Sequence, residues 1–209
     1  MLRSIISLVL FVLFSFAAFA QPQKPFTKGS WELDLSGSFG SYNYSSTYES
    51  ISPYSNYSTN HDESYGYFQL AAIPAVYVAD GLSIEPEINC FIIKKSAPAF
   101  AFLGNLAYTF RIKNQRFAPF VRAGYGISNA FQFPIQNGIL ARISDKFDIP
   151  IINAGVGLKF LLTDAVAFRT ELNYRRLSFS DESSYYGYTS KSSTKYNFIS
   201  VLLGFSVLL

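Results

Sequence analysis

Large apolar side chains alternate with smaller or polar ones over most of the chain from Ser30 onward. The last eleven residues give the clearest instance. Ile199, Val201, Leu203, Phe205, Val207 and Leu209 share one parity, and Ser200, Leu202, Gly204, Ser206 and Leu208 share the other. Side chains along a strand alternate between faces, so this is a strand with one continuous apolar face. The same period predicts seven earlier strands. Trp31, Leu33 and Leu35 alternate with Glu32, Asp34, Ser36 and Ser38 in the first. The others are Tyr65–Val78, Leu82–Ile92, Phe100–Ile112, Phe117–Ser128, Ile151–Leu162 and Val166–Arg175. No helical period occurs outside the N-terminal apolar run.

The segments between these strands alternate in length. Ala79-Asp80-Gly81, Lys113–Arg116 and Thr163-Asp164-Ala165 read as tight turns. Tyr42–Ser64 and Phe179–Lys195, rich in Tyr and Ser, read as long polar loops, and Asn129–Pro150 as a long, more apolar one. Lys94–Ala99 is a shorter link at the same end as these loops. A long terminal strand needs partners on both edges, and in hydrocarbon only closure onto an earlier strand supplies them. The predicted fold is all-β: an eight-stranded antiparallel up-and-down transmembrane β-barrel, with tight turns at one rim and long loops at the other.

The second parity decides which face meets lipid. It carries Glu32, Asp34, Glu85, Glu87, Arg111, Arg122, Lys159, Arg169, Glu171 and Arg175, with Ser, Asn and Gly between them. A lumen of eight strands holds little more than its own side chains. An inverted barrel would therefore have to crowd Trp, Phe, Leu and Ile into it. The apolar parity also gathers Trp31, Phe110, Phe117, Phe160, Phe168 and Phe205 near the turns, and Tyr125 and Tyr174 near the loops. Two aromatic belts are expected where a barrel wall crosses two headgroup layers. The charged set is thus assigned to the lumen as five acids and five bases. Such a balance points to ion pairs that occlude the interior, whereas an ion-selective pore would carry a surplus of one sign. Glu87, Arg122, Arg169 and Glu171 fall near mid-height, and Glu87 and Glu171 are expected to contact one or both arginines.

Composition narrows the remaining possibilities. Met1–Ala20 has Arg3, an apolar run and an Ala18-Phe19-Ala20 end, the pattern of a cleaved secretory signal peptide. Residues 21–29 form a short periplasmic lead and residues 30–209 the barrel domain. Loss of Arg3 lowers the formal charge from +3 to +2, and no basic cluster suggests nucleic acid. Cys90 is the single cysteine, so no disulfide forms within the chain. One histidine and one cysteine do not make a metal site, and no cofactor motif is present. His61 lies beside Asp62 and Glu63 and near Ser58 and Ser64. A lipid-modifying acyl-transfer site is therefore conceivable, but a solvated loop histidine is the reading preferred.

Signal peptide, eight amphipathic strands, Ser/Tyr-rich loops and an apolar last strand together resemble the small eight-stranded outer-membrane β-barrel family. That group includes the OmpA transmembrane domain, OmpX and related attachment proteins. The terminal Leu209 departs from the Phe typical of that family. The resemblance implies a monomer in the outer membrane of a Gram-negative-type bacterium. Its partners would be outer-membrane lipid and the assembly machinery, the latter through the C-terminal strand. The expected role is structural or adhesion-like, without enzymatic activity, and the Tyr/Ser-rich loops could meet an extracellular ligand. A small or gated pore and a lipid-modifying enzyme are the alternatives.

Overall fold

The computed structural model describes residues 25–51, 55–93, 98–112, 116–129, 147–185 and 188–209. The signal peptide Met1–Ala20 lies outside them, as do most of the Asn129–Pro150 loop and parts of the Lys94–Ala99 link and the Lys113–Arg116 turn.

Eight strands form a closed ring in chain order: β1 (Trp31–Ile51), β2 (Asn56–Ala79), β3 (Leu82–Ile93), β4 (Ala99–Thr109), β5 (Phe117–Asn129), β6 (Phe147–Leu161), β7 (Val166–Tyr185) and β8 (Tyr188–Leu208). Every neighbouring pair is antiparallel, and β8 closes onto β1 from Glu32 opposite Leu208 to Ile51 opposite Thr189. Closure satisfies every edge of the wall, which is what hydrocarbon demands. At the turn rim Gly81 adopts φ +77°, and a Cβ there would stand 2.6 Å from the Thr109 carbonyl oxygen, so only glycine fits.

The apolar parity faces outward. Trp31, Ile84, Leu106, Val121, Val156, Leu172 and Val201 are all exposed. On β1 the apolar outer face runs from Trp31 to Phe39, and on β8 its exposed part runs from Ile199 to Phe205. At about 3.4 Å per residue and about 40° of tilt, the β1 span gives a belt about 20 Å tall, near the height of a transmembrane barrel's apolar band.

Two predicted loops are strands. β1 and β2 continue past the belt, pairing as far as Ile51 opposite Asn56. β7 and β8 likewise pair up to Tyr185 opposite Tyr188. Past Tyr42, whose ring is buried, the described residues of the segments Tyr42–Ser64 and Phe179–Lys195 are mostly polar and exposed or half-buried, so they carry no apolar alternation. The result is a four-stranded sheet, β2-β1-β8-β7, standing above the belt.

Candidate functional site: the lumen and the protruding sheet

The lumen is filled in three layers. Nearest the tight turns, Phe26, Tyr77, Ala118 and Leu208 make a buried apolar cluster, with Leu161 packed against it. Phe26 belongs to the lead before β1. That lead folds across the barrel mouth through three backbone hydrogen bonds: Gly29 N–H to Tyr77 O at 2.8 Å, Tyr77 N–H to Ser30 O at 3.0 Å and Gly81 N–H to Phe26 O at 2.9 Å. Phe26 adopts φ 59°, a strained left-handed conformation for a side chain of its size. Its ring is 2% exposed and packs 5.8 Å from that of Tyr77.

Charge occupies the middle layer. Lys159 Nζ lies 2.6 Å from Glu32, and the Tyr77 hydroxyl donates to the same carboxylate oxygen at 2.7 Å. Arg122 pairs with Glu87 and Glu171, each at 2.7 Å, and reaches Glu85 at 3.9 Å. Arg169 pairs with Glu171 at 3.0 Å and Glu85 at 3.4 Å, and Arg175 pairs with Glu87 at 2.5 Å. Glu87 thus holds Arg122, and Glu171 holds both Arg122 and Arg169. Amides extend the network: Asn105 donates to Glu87 at 2.9 Å, Asn173 to Glu171 at 2.7 Å and Asn153 to Asn105 at 2.7 Å. Asp34 accepts only hydroxyls, from Ser36 and, at 3.0 Å, from Ser206.

Arg111 is a correction to the predicted lumen set. β4 leaves the ladder after Thr109, and parity no longer fixes a side chain's direction beyond that point. Arg111 is exposed at the turn rim and pairs with Asp80 at 2.6 Å. Asp80 also accepts the Lys28 backbone N–H at 3.0 Å. That hydrogen bond first, and the Arg111 side chain second, hold its carboxyl below the ordinary range. The lumen set therefore contains five acids (Glu32, Asp34, Glu85, Glu87, Glu171) and four bases (Arg122, Lys159, Arg169, Arg175), all buried. The balance of five against five is replaced by an acidic surplus of one.

The third layer, toward the protruding sheet, is aromatic. The Phe198 ring stands 5.1 Å from that of Tyr42, 5.3 Å from Tyr67 and 5.7 Å from Phe91. Ala101, Leu103, Ile149, Ile151 and Leu177 fill the space around them. Arg175 lies 5.8 Å over the Phe91 ring and joins this layer to the charged one. Sequence parity signalled it only through aromatics placed on the otherwise polar face, such as Phe91. Phe26 gave no signal at all.

His61 is in the protruding part of β2, opposite Ser46, exposed and 2.9 Å from Glu63. Cys90 is a free thiol on the outward parity, between exposed Ile88 and Ile92.

Comparison with protein-family models and with the curated proteins finds no match. Solved structures do match. The outer membrane protein OprG from Pseudomonas aeruginosa superposes with a TM-score of 0.53 at 13% identity, covering 88% of this chain and 98% of that one. The N-terminal β-barrel domain of OprF from the same organism gives a TM-score of 0.51 at 13% identity, covering 87% and 98%. At that identity the likeness is one of fold. This chain has the fold of the small eight-stranded outer-membrane β-barrels.

Proposed function

We propose that this chain is an integral outer-membrane protein of a Gram-negative-type bacterium, closed to solutes, whose working part is the sheet above the membrane. Its role on this reading is structural or adhesion-like, without catalysis. Met1–Ala20 would direct export, residues 21–29 would form the periplasmic lead, and β8 would present the apolar C-terminal strand to the assembly machinery. The barrel fold and the outward apolar belt support the location.

The observation that carries the reading is a protruding sheet set over an interior packed from end to end. Its outer strands have open edges among the described residues. β3 pairs with β2 only up to Ile93 opposite Tyr67, and β6 pairs with β7 only up to Ile151 opposite Leu177. An unpaired strand edge is a template for an added strand, and the Tyr-rich composition supplies contact area at low entropic cost. The ion-pair network of Glu32, Glu85, Glu87, Arg122, Lys159, Arg169, Glu171 and Arg175 would then hold the barrel shut beneath that sheet, with Asp34 at its margin.

Cells displaying the intact chain should be retained on surfaces coated with fibronectin or mucin more than cells displaying a barrel trimmed of both hairpins above the belt. Both barrels should keep their heat-dependent gel shift. Equal retention of the two would remove the adhesion-like role.

A further inference from the structure

The outer belt ends in different chemistry around its loop-side rim. On β1 and β2 it gives way to neutral side chains, Ser41 and Asn43 on one strand and Gly66 and Ser64 on the other. On β7 and β8 it gives way to positive charge. Phe168, Leu172 and Tyr174 are followed two residues on by Arg176, and Val201 and Ile199 are preceded by Asn197 and Lys195 on the same parity. The register sets Arg176 opposite Asn197 and Ser178 opposite Lys195. The two cations are therefore diagonal neighbours on one face, close enough for long side chains to meet around a single ligand.

Both cations are exposed. Among the described residues, the ion pairs in this region are Glu182 with Lys191 at 3.5 Å and His61 with Glu63 at 2.9 Å, and neither uses Arg176 or Lys195. At their level the outward acid among the described residues is Asp62, set opposite Ser45, which is itself opposite Lys195. That is two strand spacings away, about 10 Å. Below them the Tyr174 hydroxyl donates to Asn197 Oδ1 at 2.8 Å, leaving the Asn197 amide N–H groups for another acceptor. Up to ten donors are thus gathered at the edge of the apolar belt, since a guanidinium brings five, an ammonium three and the amide two. Free cations at this height meet the headgroup layer of the outer leaflet, where the matching counter-charge is phosphate.

We propose that Arg176 and Lys195, assisted by Asn197 above Tyr174, bind the phosphate of an outer-leaflet lipid headgroup, its acyl chains lying along Leu172, Ile199 and Val201. The site rests on the membrane reading above. It fixes one lipid at the root of β7 and β8, where the protruding sheet leaves the membrane.

The test uses the mature chain folded into phosphatidylcholine nanodiscs, with heat-dependent gel shift as the check of insertion. Retention of diphosphorylated lipid A is read by native mass spectrometry. It is compared with the same lipid stripped of phosphate, and with competition by inorganic phosphate. The doubly substituted Arg176→Gln, Lys195→Gln protein should hold diphosphorylated lipid A about thirtyfold more weakly, the contribution of two basic side chains at an anionic lipid surface. The stripped lipid should bind both proteins equally. Lys191→Gln, which removes a cation four residues farther from the belt, should behave as the unsubstituted chain. An undiminished preference in the double variant, or an equal loss in Lys191→Gln, would overturn the site. Displacement by inorganic phosphate at equal concentration would make it a site for the free ion and overturn the lipid assignment. Absence of the gel shift would instead sink the membrane reading, and the site with it.

Discussion

Arg122 is the side chain the lumen can least spare. It is the shared partner of Glu87 and Glu171, so its loss leaves two buried carboxylates each with one cation, Arg175 and Arg169 respectively. Removing one member of a buried ion cluster costs about 3–5 kcal/mol, because the desolvated charge left behind has lost its compensation. Arg122→Met should lower the unfolding free energy by that amount, measured by urea titration in lipid vesicles. Asp34 is the opposite case. It is fully buried, yet among the described residues no base stands within ion-pair distance, and its partners are the hydroxyls of Ser36 and Ser206. Asp34→Asn keeps an acceptor for one hydroxyl, offers an amide N–H that the other can accept, and removes the surplus acid. The same titration should therefore move by less than about 1 kcal/mol. Equal losses in the two variants would mean that packing, and not pairing, organises this layer.

The lead before β1 behaves as a strap across the turn-side mouth. Phe26 holds a costly left-handed backbone in order to bury its ring against Tyr77 and over Lys159, whose Nζ lies 5.3 Å from the ring centroid. Phe26→Ala should lower stability by about 3 kcal/mol, the lower end of the range for a buried Phe. It should also expose Lys159 to an amine-reactive reagent added from the turn side, read by peptide mass spectrometry. Asp80 anchors the same strap by accepting the Lys28 N–H. Its folded carboxyl is held below the ordinary value of 3.8, so the stability it contributes is present above that value and is lost as pH falls through the lower, folded one. Labelling of Lys159 after brief acid exposure and return to neutral pH should therefore rise only when the exposure goes below that range. Asp80→Asn should abolish the dependence. None of this was legible in Gln21–Gly29, where one Phe among Pro, Gln and Lys has no period to betray it. The strands of the belt were legible, from Trp31 to Leu35 and from Ile199 to Leu209, because lipid on one side and a lumen on the other impose alternation. The strand continuations beyond Tyr42 and Ser178 were not, because neither lipid nor a packed apolar core lies against most of their residues to impose it. Arg111 was misplaced by extending parity past the point where pairing stops.

The three lumen layers lie in series, so the least permeable of them sets the conductance of the whole barrel. Phe26 and Tyr77 lie on the turn side, the ion cluster in the middle, and Tyr42, Tyr67, Phe91 and Phe198 on the loop side. A planar bilayer holding the unsubstituted protein should show no current steps. Arg122→Met alone should stay silent, because the aromatic layers above and below it are untouched. Phe26→Ala alone should stay silent for the same reason. Steps should appear only when both ends are opened together, as in a protein carrying Phe26→Ala with Tyr42→Ala, Phe91→Ala and Phe198→Ala. Water and ions could then enter and loosen the central pairs. The current should favour cations, since five acids line the interior against four bases once Arg111 is assigned to the rim. A single-layer variant that conducts as well as the combined one would mean that the layers do not each seal. Anion preference in the combined variant would mean that the surplus acid carries no charge or lies off the path.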